Sequence, residues 1–394
     1  AAAGAGYAGA VRELREILAA FAGLCDAGEA GVLASVVRVG GSTYRRPGAR
    51  MLVLPGGESL GLISGGCLEG DLLEHARNVG ESGRPRLLHY DSSDAGDEIW
   101  GLGLGCAGAV DVWLERVSAE RPGPLGWLAD WTARRCGGAI ATALGGPQLG
   151  ARRALEAGGA LQGKLAGQDA ALARALAEGR GGVSRNDGGR DAIARGGDAP
   201  GAVPRAGEIE SDAVWIEIAR PPLRLAVFGA GPDAAPLLRI ARELGWDALV
   251  VDHRAAFAKP ERFPGAEVLH CKAARAVRAA RVCAETHCVV MTHHYPSDRT
   301  LLRDLLRSEA PYIAALGPKQ RTEQLLAELR AGELHAELGD APQARLFAPA
   351  GLDIGADSPE QIALAIAAEV QAVAASRSGG WLRERSGPIH DAAA

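Results

Sequence analysis

Two cysteines of the chain lie in glycine-rich turns that follow apolar runs. Cys67 comes directly after Gly65 and Gly66, and Cys106 lies within Gly103–Gly108. Glycine lets the backbone turn where a Cβ atom would clash, and it lets a ligand approach the main chain. A thiolate is a nucleophile and a soft metal ligand, so both positions are candidates for metal binding or sulfur chemistry. The alternative is that each cysteine is a small buried apolar residue.

The residues after Cys67 strengthen its candidacy. Apolar spacing predicts a helix over Leu68–Asn78, which places the thiol at or near the helix start. Free N–H groups and the positive end of the helix dipole favour an anion there, including a thiolate.

Arg45 and Arg46 lie in the polar loop Gly40–Gly48 between two predicted strands, Val32–Val39 and Ala49–Leu54. A guanidinium group matches a phosphate or a pterin edge geometrically. These two arginines are therefore candidate cofactor-binding residues, and the alternative is a solvated loop.

A glycine turn in the second half predicts a phosphate site. The strand Leu223–Phe228 leads into Gly229, Gly231 and Ala234 of a G-x-G-x-x-A pattern, and the next strand ends in Asp252. Such a βαβ unit places a phosphate at the helix start, and the acidic residue can hold a ribose hydroxyl. The pattern leaves open whether the ligand is NAD(P), another nucleotide or a pterin.

His294 and Asp298 follow the predicted strand Cys288–Thr292. Ligands of doubly wound sheets bind at the carboxyl ends of the strands, so both residues are candidates for the same crevice. The alternative is a polar loop. Cys283, His287 and Cys288 lie close in sequence, but no second ligand pair follows, which argues against a structural zinc site.

The pattern of elements predicts two kinds of α/β architecture. The first part is a mixed α/β region, with a helix over Val11–Asp26 and further strands at Leu60–Ser64, Arg86–Asp91, Ala109–Arg116 and Ala213–Ala219. The second part alternates strands and helices, which predicts a Rossmann-like, doubly wound parallel sheet. Its later elements are predicted at Ala235–Leu244, Ala248–Val251, Thr300–Ser308, Tyr312–Leu316, Gln320–Leu329 and Pro359–Ala375. We expect domains at 11–120, 121–220 and 221–375, a flexible insertion near 180–206, and a tail at 376–394.

The first region carries a weak internal repeat. Gly48-Ala49-Arg50 recurs as Gly150-Ala151-Arg152, and the second copy has Gly167-Gln168-Asp169 where the first has Gly66-Cys67-Leu68. The second copy also lacks the Arg45-Arg46 pair. If the repeat is real, only the first copy carries the chemistry; the alternative is chance similarity in a chain rich in alanine and glycine.

Composition restricts the class of protein. The chain has 394 residues, of which 47% are hydrophobic, and a net charge of −5 with both signs interspersed, so no basic face for nucleic acid is indicated. No apolar run approaches the roughly 20 residues that a membrane span needs, and the first residues lack the order of a signal peptide. The seven scattered cysteines indicate a reducing cytoplasm rather than a disulfide framework.

These motifs together resemble the XdhC/CoxI family, the xanthine dehydrogenase accessory proteins. The resemblance covers most of 30–115 and 222–375, and Gly65-Gly66-Cys67-Leu68-Glu69 is its most specific part. The other matching segments are Gly41-Ser42-Thr43, Arg46-Pro47-Gly48-Ala49, Gly103–Gly108, Phe228–Ala234, Thr292-His293-His294 with Asp298, Leu316-Gly317-Pro318-Lys319 and Gly351–Gly355. Ala107 departs from the glycine that many relatives have after the second cysteine.

The resemblance implies binding of the molybdenum cofactor, a molybdopterin that carries an oxidised metal. Cys67 and Cys106 are then candidate molybdenum ligands. It implies work with a cysteine desulfurase, which supplies the terminal sulfido ligand, and delivery to a xanthine dehydrogenase-type apo-molybdoenzyme. We also expect a cytoplasmic homodimer that acts as a maturation factor rather than as a stand-alone catalyst.

Two other functions remain open at this point. An NAD(P)-dependent oxidoreductase would use the same βαβ unit, but it has no need of two cysteines in glycine turns far upstream. A sulfur carrier acting alone would use Cys67 as a persulfide acceptor and would need no metal.

Overall fold

A computed structural model of the chain describes residues 8–41, 43–91, 108–185, 213–331 and 344–386. The first structural unit is a five-stranded antiparallel sheet in the order β3-β2-β1-β5-β4, with one helix before it and one crossing it. Its elements are α1 (Ala8–Ala27), β1 (Gly31–Gly41), β2 (Arg50–Val53), β3 (Ser59–Gly61), α2 (Glu69–Ser82), β4 (Arg86–Asp91) and β5 (Gly108–Val117).

A second unit repeats this architecture. Its sheet has the equivalent order β8-β7-β6-β10-β9, which confirms the internal repeat as a structural one. Its elements are α3 (Leu125–Arg134), β6 (Gly138–Ala143), β7 (Arg152–Glu156), β8 (Leu161–Gly163), α4 (Asp169–Glu178), β9 (Gly182–Arg185) and β10 (Ala213–Ala219). The strand β9 lies inside the predicted insertion, so the loop prediction is wrong for those four residues; 186–206 lie outside the described residues.

The repeat is maintained by equivalent residues at the same points. Gly61 and Gly163 end β3 and β8 with φ angles of 84° and 93°. A Cβ atom at these positions would lie 2.3 Å and 2.4 Å from the carbonyl oxygens of Arg50 and Arg152. Both glycines are therefore required by a close backbone contact, and Gly61 ends the third strand before the predicted Ser64.

The two sheets pack against each other through aromatic side chains. Trp113 of β5 and Trp215 of β10 occupy equivalent positions and are buried together with Val37 and Leu144. On its other face the first sheet is covered by α2, whose Leu72, Ala76 and Val79 are buried.

The second half of the chain forms a six-stranded, wholly parallel sheet in the order β13-β12-β11-β14-β15-β16. This confirms the predicted Rossmann-like fold. The elements are β11 (Arg224–Phe228), α5 (Ala234–Glu243), β12 (Asp247–Asp252), β13 (Glu267–His270), α6 (Ala273–Ala279), β14 (Thr286–Val290), α7 (Tyr295–Leu306), β15 (Tyr312–Ala315), α8 (Lys319–Ala331), β16 (Leu346–Phe347) and α9 (Pro359–Ala374).

The central strands are buried on both faces, as their continuous apolar runs require. The helix α9 begins with a capping box, in which the Ser358 hydroxyl accepts the Gln361 N–H and the Gln361 side chain accepts the Ser358 N–H. The predicted start of α7 at Thr300 is wrong, because the helix begins at Tyr295 with a proline in its first turn.

The first half of the chain contacts the amino end of the parallel sheet. Arg135, which follows α3, pairs with Asp247 at the start of β12 at 2.8 Å, and Arg12 of α1 pairs with Glu243 at the end of α5. A cavity of about 310 Å³ lies at this contact, lined by residues that include Arg135, Arg224 and Cys283. No helix among the described residues is long and apolar enough to cross a membrane.

Candidate functional site

Three connections of the first sheet emerge at the same end. The segment 42–49 joins the end of β1 to the start of β2, and the segment 62–68 leaves the end of β3. The register pairs Gly41 with Gly108 and Met51 with Gly61, so these ends are neighbours. β4 ends and β5 begins at this end as well, because Asp91 pairs with Ala109. The topology therefore brings the Arg45–Arg46 loop and the Cys67 loop to one end of the sheet. Cys106 lies outside the described residues, two positions before Gly108.

Cys67 is half-buried and precedes the helix rather than lying in it. The first residue of α2 is Glu69 and its N-cap is Leu68, so the predicted helix start at Leu68 is off by one residue. Gly66 has a φ of 108°, which favours glycine. Neither Gly65 nor Gly66 has a heavy atom within 4 Å of the position of a Cβ atom, so the backbone beside the thiol is open.

The Glu69 carboxylate accepts hydrogen bonds from the backbone of its own loop. It accepts the N–H groups of Ser64 at 2.8 Å and of Ile63 and Leu68 at 3.2 Å, and the Ser64 hydroxyl donates to it at 2.5 Å. Burial raises the pKa of Glu69, but the hydrogen bonds from Ser64 and the backbone outweigh burial and hold that pKa below its ordinary value. The anion that the start of α2 favours is thus supplied by the helix itself.

The two arginines of the neighbouring loop differ in their contacts. Arg45 donates to the Glu13 carboxylate of α1 at 2.6 Å, and its side chain is only 21% exposed. The Nε atoms of both arginines are buried and have no hydrogen-bond partner among the described residues, so the ion pair of Arg45 is what distinguishes them. Arg46 is therefore the better placed of the two to bind an anionic ligand, since Arg45 is held in an ion pair.

The second copy lacks the features of the Cys67 loop. Leu68 and Gln168 are the N-caps of α2 and α4, so Gln168 corresponds to Leu68 and not, as the sequence pattern predicted, to Cys67. Between equivalent glycines and helix starts, the second copy is two residues shorter. The cysteine loop of the first copy is therefore an addition to the shared scaffold.

A polar cluster that sequence reasoning missed lies near the same end of the first sheet. The buried carboxylate of Asp111 on β5 pairs with Arg38 on β1 and with His89 Nδ1 on β4. In the second copy Ala213 takes the place of Asp111. The signal available in the sequence was an ionisable residue between two apolar neighbours in each of three strands.

The glycine turn of the parallel sheet lies at the carboxyl end, opposite the contact with the first half. Gly229 has a φ of 118°, and a Cβ atom there would lie 2.4 Å from the Met291 carbonyl oxygen. Gly231 has no heavy atom within 4 Å of its Cβ position. Ala234 is the first residue of α5. The fold itself therefore requires Gly229, whereas Gly231 faces open space.

Asp252, the candidate ribose acceptor, is enclosed by its neighbours. Its side chain is 1% exposed. One carboxylate oxygen accepts the Ala230 N–H at 2.7 Å and Arg254 Nη2 at 2.8 Å, and the other accepts the Arg254 N–H and Nε. Burial raises the pKa of Asp252, but these hydrogen bonds lower it to about 2. The oxygen that accepts the Ala230 N–H stabilises the glycine turn, whereas the other accepts its hydrogen bonds from Arg254, which also stacks on the Phe257 ring at 4.0 Å.

Asp298 and His294 lie at the carboxyl end of the parallel sheet but differ in burial. Asp298 is buried and accepts the Thr292 hydroxyl at 2.5 Å and Arg321 at 2.6 Å, so it supports the turn after β14. His294 is exposed, with Nδ1 2.8 Å from the Ser297 hydroxyl and its ring 6.2 Å from that of His253. Only His294 of this pair is free to line the crevice.

His293, which the sequence indicated only as part of the segment Thr292-His293-His294, also contributes to the crevice. It has a φ of 56°, which is uncommon outside glycine, and its Nε2 lies 2.6 Å from the Asp233 carboxylate across the glycine turn. Asp233 is the N-cap of α5, and the residue before it is Pro232. A pyrophosphate would need hydrogen-bond donors at this position. The chain instead has a proline, which lacks an N–H, followed by a carboxylate.

No group of three or more histidine, cysteine or acidic side chains within the described ranges is arranged to hold a metal ion. Cys67 and the glycine crevice are also separate. The crevice lies at the carboxyl end of the parallel sheet, whereas Arg12 and Arg135 join the first half to its amino end. The chain therefore presents two candidate sites, one in each half.

Comparison with known proteins places both halves in one family. Residues 24–91 match the model of the XdhC and CoxI family, and residues 225–370 match that of the XdhC Rossmann domain. A probable xanthine dehydrogenase subunit of Bacillus subtilis is 29% identical over 343 residues, which span 87% of this chain and 92% of that protein. The molybdenum cofactor insertion chaperone PaoD of Escherichia coli is 30% identical over 95 residues, 24% of this chain and 29% of that protein.

A solved structure is similar over nearly the whole length. The crystal structure of a xanthine dehydrogenase from Bacillus halodurans matches with a TM-score of 0.71 and 28% identity, over 96% of this chain and 98% of that one. The two family models together span the Gly-Gly-Cys-Leu-Glu loop and the parallel sheet described above. The chain belongs to the XdhC and CoxI family.

Proposed function

We propose that this chain is an accessory protein that binds the molybdenum cofactor, supports its sulfuration and delivers it to a xanthine dehydrogenase-type apo-molybdoenzyme. The observation that carries the proposal is the half-buried Cys67 thiol on an open glycine loop. The names of two relatives, a molybdenum cofactor insertion chaperone and a probable xanthine dehydrogenase subunit, support the choice of cofactor and client.

The residues at the end of the first sheet fit such a cofactor. A thiolate is a soft ligand suited to a high-valent oxo or sulfido metal. The buried Nε of Arg46, which has no hydrogen-bond partner among the described residues, suits an anionic oxygen such as that of a phosphate. The bare backbone at Gly65 and Gly66 leaves room for a planar ring. Cys67 and Cys106 would hold the metal, Arg46 would bind the anionic end, and Arg45 would support the loop through Glu13.

The protein's own residues bind and release the cofactor and do not change it chemically. The cofactor, when bound, supplies the metal that later performs the chemistry in the client enzyme. A site at a sheet end, formed by loops, leaves one side accessible to a second protein. We assign that side to two partners in turn, a cysteine desulfurase that delivers the sulfido ligand and the apo-enzyme, with the accessory protein acting as a homodimer.

The second candidate function, an NAD(P)-dependent oxidoreductase, is favoured by the order of the parallel sheet and by its glycine turn. It is opposed by the enclosed Asp252 and by Pro232 and Asp233 at the start of α5. A nucleotide or a pterin phosphate held by Gly231 and His294 remains compatible with the crevice, because both face open space or solvent.

The proposal is tested by titrating purified protein with molybdenum cofactor and measuring bound molybdenum. Wild type should bind up to one equivalent, and the Cys67→Ala, Cys106→Ala double variant should bind much less. Cys25→Ala, which alters a half-buried cysteine of α1, is the matched control and should bind as wild type does. Equal binding by wild type and the double variant would exclude these thiols as ligands.

A further inference from the structure

The Ser64 hydroxyl is the centre of the Cys67 loop. Its oxygen lies 3.3 Å, 3.1 Å and 3.0 Å from the backbone nitrogens of Gly66, Cys67 and Leu68, which donate to it. The Cys67 thiol donates to the same oxygen at 3.6 Å. The single hydroxyl proton is directed to the Glu69 carboxylate at 2.5 Å.

This arrangement sets the orientation of the Ser64 hydroxyl and of the Glu69 carboxylate. A hydroxyl has one donor and two acceptor lone pairs. Because Glu69 takes the proton of Ser64, the two lone pairs of Ser64 face the loop, where the three N–H groups and the thiol share them. Glu69 is itself held by the Ile63 and Ser64 N–H groups, so it cannot turn away without losing them.

The second copy shows that the shared scaffold does not need the hydrogen bonds around Ser64. Its helix α4 begins with Asp169 where α2 begins with Glu69. The Asp169 carboxylate pairs with Arg153 of β7 at 2.9 Å, and its side chain is 52% exposed. An equivalent glycine, strand end and helix form in the second copy without such a serine–glutamate pair, so the partly buried pair serves something that only the first copy has.

We propose that Ser64 and Glu69 are positioning residues for Cys67. Glu69 orients the Ser64 hydroxyl, and Ser64 holds the Cys67 thiol and backbone in the geometry in which the thiol meets its ligand. The role of this geometry in cofactor retention rests on the proposed function, whereas the positioning of the thiol itself does not.

The positioning is tested on ligand-free protein by the S–H stretching band of Cys67 in Raman spectra. The band is isolated by subtracting the spectrum of Cys67→Ala from that of the otherwise matched protein. In Ser64→Ala the band should move to higher frequency, since the thiol loses its acceptor. Ser64→Thr keeps the hydroxyl and should restore the wild-type band, a rescue that a purely structural effect would not produce. Glu69→Gln should broaden or shift the band, and Asp169→Asn in the second copy should leave it unchanged.

The consequence for binding is measured by molybdenum cofactor retention in the same variants. Ser64→Ala and Glu69→Gln should each reduce retention about tenfold, a change of about 1.4 kcal/mol. The thermal midpoint of Ser64→Ala should also fall, because the N–H groups of Gly66, Cys67 and Leu68 lose their acceptor. An unmoved S–H band in both variants would overturn the inference, whatever the cofactor result. A moved band with unchanged retention would overturn the role in binding. A wild type that binds no cofactor, yet shows the band shift, would refute the proposed function and leave the positioning established.

Discussion

Arg50 of β2 forms a buried ion pair with Glu217 of β10 and so joins the two five-stranded sheets. The pair has a counterpart, because Arg152 of β7 pairs with Glu115 of β5. Under the internal repeat Arg50 is equivalent to Arg152, and Glu217 is equivalent to Glu115. Each sheet therefore supplies the arginine of one ion pair and the glutamate of the other. The repeat is therefore joined to itself by charged residues as well as by the buried tryptophans.

Replacing Arg50 should destabilise the first half strongly. Arg50→Ala leaves the Glu217 carboxylate, whose side chain is 5% exposed, without this partner. Breaking a buried pair from one side costs about 3–5 kcal/mol. The free energy of unfolding, measured by denaturant titration, should fall by that amount. The Arg50→Met, Glu217→Leu double variant should lose less, because neither charge then remains buried.

The adjacent residue of β7 provides the control for this ion pair. Arg153 forms an exposed pair with Asp169, and exposed pairs contribute about 0–1 kcal/mol. Arg153→Ala should therefore change stability little, whereas Arg152→Ala should behave like Arg50→Ala. A loss for Arg50→Ala no larger than that for Arg153→Ala would show that the buried pairs do not hold the sheets together.

The two glycines of the second-half turn should respond differently to valine. Gly229→Val places a Cβ atom against the Met291 carbonyl at a positive φ, so this variant should fail to fold or be strongly destabilised. Gly231→Val meets open space and should fold, yet lose binding of any phosphate at this turn. Circular dichroism and a phosphate titration separate the two outcomes. A folded Gly229→Val with an unchanged thermal midpoint would contradict the argument.

Asp252→Asn should weaken the second half in a pH-dependent way. The native pKa of Asp252 is about 2, below the ordinary value of about 3.9. A depressed pKa contributes stability that is complete above the unfolded pKa and is lost as the pH falls through the native one. The contribution is roughly 2–3 kcal/mol at neutral pH. Denaturant titrations at several pH values should show wild type more stable than Asp252→Asn at pH 7, with the difference narrowing between about pH 5 and pH 2. A difference that stays constant over that range would refute this assignment.

Local patterns in the sequence were enough to predict many elements. The strands Arg86–Asp91 and Ala213–Ala219 and the capped helix at Pro359 follow their patterns closely. The elements β13 and α6 were missed, because short segments with few large apolar residues carry little periodicity. The helix α3 was also missed, although its buried Leu125, Leu128 and Trp131 lie at helical spacing.

The site residues were harder to predict, because their roles depend on partners elsewhere in the chain. The pattern that marks Asp252 as a ribose acceptor does not reveal that Arg254 would occupy it. The left-handed backbone of His293 and its contact with Asp233 also depend on the tertiary structure. Cys67 was identified because its glycines and its thiol are local features.

The crevice of the second half should not bind dinucleotides tightly. A ribose hydroxyl needs a free carboxylate oxygen, and both oxygens of Asp252 already accept hydrogen bonds from Ala230 and Arg254. Arg254 directs Nε and Nη2 to Asp252 and stacks on the Phe257 ring, so its charge is already paired with a carboxylate rather than left for a 2′-phosphate. Calorimetry should therefore detect no binding of NAD(H) or NADP(H) tighter than about 1 mM, a free energy of roughly −4 kcal/mol. Asp252→Ala should not change this result, because the carboxylate acts on the turn and not on a ligand. Tight binding of NAD(H) that Asp252→Ala weakens, together with hydride transfer to a small substrate, would instead establish the oxidoreductase.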